Sequence, residues 1–120
     1  MEAAPAIYAS GPTVTGKTWE LVLPDVAQVD YICRSAMGGA PQGARSRAYY
    51  WGCYHSKLDA VVLVDPRAWP SRREWLEARE HEWAHARGWR HRPDGRGTDW
   101  ARSLPPPAPA AAVTVARSGD

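Results

Sequence analysis

Between Ser71 and Gly88 the chain reads SRREWLEAREHEWAHARG, and this stretch leaves little choice of conformation. No Gly or Pro interrupts Arg72 to Arg87. Ser71 followed three residues later by Glu74 is a capping box, in which the hydroxyl accepts from a free N–H of the first turn while the carboxylate reaches back. Pro70 precedes the cap, and Gly88 supplies a left-handed stop. The pattern predicts a helix over about 71–87, with Trp75, Leu76, Ala78, Trp83 and Ala86 as its apolar arc.

The rest of the chain must supply something for that arc to pack on. Ala60-Val61-Val62-Leu63-Val64 is a β-branched run that ends at Asp65-Pro66 and reads as a buried strand. The aromatic stretch 47–54 reads as a second strand, and the short HSKLD connection makes the pair an antiparallel hairpin. Thr18 to Leu23 is a further strand. Asp25 stands at a cap-like spacing before Val26, Val29, Ile32 and Cys33, which suit the inner face of a short helix. MGGAPQGARSR, 37–47, has no regular period and reads as a loop. At 120 residues there is room for one domain. The expectation is a small α+β domain over 13–100, with a short antiparallel sheet and one long helix. A flexible 1–12 precedes it, and a Pro/Ala-rich disordered tail, 101–120, follows.

Charge excludes little. Fifteen Lys and Arg face 13 Asp and Glu, a net +2. That balance makes no case for nucleic acid, and the local Arg clusters read as solvated faces. The two cysteines, Cys33 and Cys53, do not make a disulfide framework; they could pair in an oxidising compartment, but buried free thiols are the default expectation for a chain without a secretion signal. MEAAPAIYASGPTVTG lacks the basic start and apolar run of a leader, and no stretch approaches membrane-spanning length. A soluble cytoplasmic protein is expected; nothing bears on oligomeric state.

Chemistry concentrates on the predicted helix and just beyond it. His81 and His85, four apart, share a helix face and can reach one metal ion. Glu82 is rotated about a quarter turn from them, outside the first coordination shell yet within reach of a water on the metal. Gly88 turns the chain so that His91 returns as a third ligand; Asp94 and Asp99 are the alternatives if the loop folds differently. Three protein ligands leave one position open, as catalytic zinc sites do.

This pattern, His81-Glu82-x-x-His85-x-x-Gly88-x-x-His91, resembles the signature of the metzincin clan of zinc peptidases. In outline, with Gly52-Cys53, the strand 60–64 and Gly88-Trp89, the chain is similar to small zincin-like proteins of bacteriophages and prophages. The resemblance implies a minimal zincin-like fold, Zn2+ on His81, His85 and His91, and Glu82 as general base. The implied activity is a metallopeptidase that hydrolyses a protein or peptide substrate through a metal-activated water, inside a host cell if phage-encoded. The Met-containing turn of metzincins has no counterpart, because Met1 and Met37 both precede the helix.

Two other functions compete. The same helix suits a non-catalytic zinc-binding module for structure or partner binding. Separately, Gly11 to Thr18, GPTVTGKT, matches the Walker A phosphate loop, with Asp65 as an acidic partner. Its context is wrong: such a loop opens a helix, whereas WELVLPD follows and Pro24 would break one. A Gly/Thr-rich turn entering a strand is the simpler expectation. His55 reads as a solvated turn residue, and Tyr49, Tyr50 and Tyr54 as strand aromatics whose hydroxyls are candidates for a cleft.

Overall fold

The computed structural model describes residues 3–37, 49–91, 101–102 and 114–117. In chain order the elements are β1 (Trp19–Leu23), α1 (Val26–Met37), β2 (Tyr49–Tyr50), β3 (Gly52–His55), β4 (Ala60–Val64), α2 (Arg72–Ala86), β5 (Ala101–Arg102) and β6 (Thr114–Arg117). Single 3-10 turns occupy Ala6–Tyr8 and Pro66–Ala68. A four-stranded sheet has the order β3-β4-β1-β6, while β2 pairs separately with β5.

The position of β4 follows from its composition. All five of its residues are buried, and a strand without polar alternation suits a central place covered on both faces. Successive side chains point to opposite faces. Val62 and Val64 accordingly join the cluster containing Val26, Val29 and Cys33 of α1. Val61 and Leu63 instead meet Trp83 and Ala86 of α2. The two helices therefore pack on opposite faces of one sheet, and the mixed α+β class is the one expected.

Several details differ from expectation. The sheet is mixed, because β1 runs parallel to β4 from Trp19↔Ala60 to Leu23↔Val64. The hairpin β3–β4 is antiparallel as foreseen. Periodicity identifies strands but carries no direction for partners far apart in sequence, and α1 lies between β1 and the hairpin. A connection of that length permits a parallel pair. The aromatic stretch 47–54 breaks at Trp51 into β2 and β3. Trp51 is 2% exposed, meets Trp69 edge-on with ring centroids 5.3 Å apart, and its carbonyl accepts from the Val64 N–H. Leu76 leaves the expected apolar arc and is exposed, whereas Ala78, Trp83 and Ala86 are buried. Within the segment assigned to a disordered tail, the backbone of Thr114–Arg117 pairs antiparallel with β1. A β-branched Val-Thr-Val is embedded there in Pro/Ala-rich chain, and composition averaged over the tail conceals it.

The cysteines correct the free-thiol expectation. Cys33 on α1 and Cys53 on β3 form a disulfide, with Cα atoms 5.8 Å apart, and both are fully buried. A separation of 20 residues in sequence says nothing of distance in the fold. Only the crossing of α1 over β3 brings the two side chains face to face. Asp30 makes a second tie from the same helix, accepting the Tyr50 N–H on Oδ1 while Arg34 holds Oδ2. No helix among the described residues is long and apolar enough to cross a membrane.

On the other face α2 is anchored to β1. Glu20 Oε1 accepts from Arg79 Nε and, at 2.9 Å, from the indole N–H of Trp83. Replacing both cysteines by serine should lower the unfolding free energy by about 3 kcal/mol, from the loop-closure entropy of a loop this long. Urea melts of the oxidised wild type and the double variant measure it; equal midpoints would refute a structural bond.

Candidate metal centre

α2 begins and ends as its sequence requires. The Ser71 hydroxyl accepts the Glu74 N–H at 3.1 Å. At the other end Gly88, at φ +109°, is in the left-handed region that side chains resist. The Gly88 N–H reaches the His85 carbonyl and the Trp89 N–H reaches the Ala84 carbonyl, at 3.0 and 3.1 Å. These two bonds are a Schellman closure, which satisfies carbonyls that the helix end leaves unpaired. The chain therefore reverses within three residues, and Trp89 and His91 come back over the last turn of α2.

That reversal assembles three imidazoles. His81 and His85 project from one face of α2 and are buried, and His91, half-buried, approaches from the turn. The Nε2 of His85 lies 3.3 Å from Nε2 of His81 and 3.0 Å from Nε2 of His91. The three are close enough to hold one metal ion. The Nδ1 of His85 is 2.7 Å from the Trp89 carbonyl oxygen. A carbonyl only accepts, so Nδ1 carries the hydrogen and a neutral ring presents its Nε2 lone pair to the cluster. The Trp89 indole stacks on His85 at 9° between planes, with centroids 4.6 Å apart. The turn thus fixes both the tautomer and the tilt of one ring, a role for Trp89 that the sequence pattern did not disclose.

Glu82 is fully buried. A Cβ placed on Gly52 of β3 would stand 3.7 Å from Glu82 Cγ and 2.8 Å from Leu63 Cδ2. The bare backbone of Gly52 is what lets β3 pass so close to Leu63 and to the side chain next to the histidine cluster. The signal was present in the sequence as Gly52 inside a strand, where glycine marks close approach.

The N-terminal segment also meets this end of α2. Residues 1–12 fall outside the folded body by sequence, yet the carbonyls of Tyr8 and Gly11 accept from the Arg87 guanidinium. The Val14 N–H donates to the Ala86 carbonyl at 2.9 Å. The turn of residues 11–18 leads straight into β1 rather than into a helix, so it lacks the helix terminus that a phosphate loop requires. Its hydroxyls turn instead to Asp59 in the β3–β4 connection. Thr18 Oγ1 lies 2.8 Å from both Thr13 Oγ1 and Asp59 Oδ1. With one hydrogen to give, it donates to the carboxylate and accepts from Thr13. Thr15 donates to Asp59 Oδ2, and Tyr54 donates to Oδ1 at 3.0 Å. Burial would raise the Asp59 carboxyl, but the hydrogen bonds from Thr15, Thr18 and Tyr54, with Lys17 nearby, outweigh it and hold the group below its ordinary value. Burial first, then the bond to Asp59, pushes the Tyr54 phenol up to about 12, against the opposing charge of Arg90.

The other candidates lie elsewhere. His55 is buried, not solvated. Its Nδ1 accepts the Leu58 N–H at 3.2 Å, so Nε2–H points to Ser35 Oγ, 3.0 Å away on α1. Tyr50 is buried, and the Tyr54 hydroxyl is taken by Asp59. Asp94 and Asp99 lie outside the described residues.

Gly88→Ala should destabilise the fold by about 1–2 kcal/mol, the penalty of a side chain in left-handed backbone. It should also weaken binding of divalent metal, read by thermal melts with and without metal. A variant with wild-type values in both would remove the turn from the account. Comparison with family models, with curated proteins and with solved structures finds no match.

Proposed function

We propose that the protein is a zinc-dependent metallopeptidase of metzincin-like character, acting on a protein or peptide substrate. The observation that carries this is the convergence of three imidazole nitrogens. Nitrogens bound to one tetrahedral zinc at 2.0–2.1 Å lie about 3.3 Å apart. The separations of 3.3 and 3.0 Å around His85 Nε2 are close to that spacing, and the three ligand atoms as a group lie within 4.8 Å of one another. The donor set, three imidazoles of which one is oriented by a carbonyl, is also the kind that suits zinc. Asp94 and Asp99 are not needed to complete three ligands.

In this reading His81, His85 and His91 hold the ion, which when bound supplies Lewis acidity toward a water and toward the scissile carbonyl. Glu82, one residue beyond His81 on α2, takes a proton from the attacking water and delivers it to the departing amine. Its burial beneath β3 keeps the carboxylate in a low-dielectric setting, where a nearby cation is a favourable neighbour. The Trp89 carbonyl keeps the His85 Nδ1 hydrogen in place, so that ring always presents its lone pair inward.

A second reading, a non-catalytic zinc module, draws on the burial of the cluster. His81 is 2% exposed and Glu82 is 0% exposed, as in a site meant for structure. The Cys33–Cys53 bond bears on location under either reading, because such bonds persist in oxidising compartments and favour one over the cytoplasm.

Glu82→Gln separates the readings. A peptidase should keep about one equivalent of zinc and its thermal stability while cleavage of an unfolded protein substrate falls by about 100-fold or more. Undiminished cleavage would exclude Glu82 as the base, and no cleavage by the zinc-loaded wild type would leave the module. Zinc removal by a chelator should lower the melting temperature in both cases.

A further inference from the structure

We infer that Asp59, remote in sequence from the histidines, is a positioning residue of the metal centre, acting through the N-terminal turn 13–18. The inference rests on the zinc site proposed above and adds to it the part that holds the site in shape. Asp59 sits in the connection between β3 and β4 at φ +52°, a left-handed conformation uncommon for a residue with a side chain. It receives the hydroxyls of Thr15, Thr18 and Tyr54, and its carbonyl accepts the Trp19 N–H at 2.9 Å. Thr18 in turn receives Thr13, whose own oxygen accepts the Gly16 N–H. One carboxylate thereby gathers the hydroxyls of a turn whose own backbone bond is that from the Gly16 N–H to the Thr13 carbonyl.

The fixed turn bears directly on the helix end that makes the site. The Val14 N–H meets the Ala86 carbonyl, a group that the Schellman closure leaves over. Val14 Cγ2 lies 3.6 Å from where a Cβ on Gly88 would stand. Just before the turn, the Gly11 carbonyl accepts from Arg87 Nε at 2.9 Å. Arg87 and Gly88 are the residues through which the chain reverses from His85 to His91. Loss of the Asp59 carboxylate releases the Thr turn, then the Val14 contact, and then the restraint on the reversal. The ligand nitrogens remain, but their separation is no longer fixed before metal arrives. Affinity falls through lost preorganisation, as it does when partners behind metal ligands are removed.

The test compares Asp59→Asn with Asp65→Asn in the full chain. Asp65 also carries a carboxylate bound by its own loop, to Arg67, but it makes no bond to the turn 13–18 in the described structure. Zinc affinity is measured by competition with a chromogenic chelator, and ligand geometry by the visible spectrum of the cobalt-substituted protein. Asp59→Asn is expected to weaken zinc binding by about tenfold and to alter the cobalt bands, while Asp65→Asn leaves both at wild-type values. Unchanged zinc affinity in Asp59→Asn overturns the inference, as does an equal loss in Asp65→Asn, which would mark a general effect of stability. Should Asp59→Asn fail to fold, Thr15→Val, which removes one bond to the carboxylate, decides the matter: weaker zinc binding with altered cobalt bands supports the inference, and wild-type behaviour overturns it. A wild-type chain that binds no zinc would instead overturn the metal centre itself, and this inference with it.

Discussion

The histidine cluster depends on the place where α2 stops. A helix carries two of the imidazoles on one face, but a straight continuation would carry His91 away from them. Gly88 in left-handed backbone ends the helix in one residue, and its Schellman bonds take up carbonyls that the helix end would otherwise leave unpaired. The same reversal puts the Trp89 carbonyl against His85 Nδ1 and the Trp89 ring against the His85 ring. Ligand, ring orientation and tautomer thus share one backbone cause.

Around this turn the fold acts as a clamp on α2. β4 is apolar on both faces, so it accepts α1 on one side and Trp83 and Ala86 of α2 on the other, while Ala78 at the earlier end of α2 joins the cluster on the α1 side. Glu20 ties the middle of α2 to β1 through Arg79 and Trp83. Gly52 lets β3 run close beside Leu63 and Glu82. The contacts of α2 with β1, β3 and β4 join segments far apart in the chain, and together they leave α2 little freedom to roll or slide.

What was legible in the sequence follows the range of the interactions. The capped start at Ser71, the stop at Gly88, the hairpin from Gly52 to Val64 and the grouping of His81, His85 and His91 are local. Spacing within a dozen or so residues determines them. The parallel pairing of β1 with β4, the bond between Cys33 and Cys53, the burial of His55 against Ser35 and the pairing of Thr114–Arg117 with β1 are contacts across 20 residues or more. No periodicity encodes them. Asp59 is the extreme case: in sequence it is an ordinary acidic residue of a short turn, and its significance lies entirely in the three hydroxyls that the fold brings to it. The Walker-like GPTVTGKT shows the converse. Its spacing is right and its surroundings are not, because β1 rather than a helix follows.

The separation between local and distant contacts divides the disulfide from the histidine cluster. The disulfide closes the chain between 33 and 53, while the three imidazoles and the carbonyl that orients one of them all fall between 81 and 91. The two loops neither overlap nor nest, so closing one does not shorten the path that the other must close. The disulfide removes disorder from the unfolded chain, whereas the histidine cluster forms only with the fold. In a chain of this size, with little core to spare, the covalent tie and the histidine cluster thus occupy separate stretches, and a change in one does not cut the loop that closes the other.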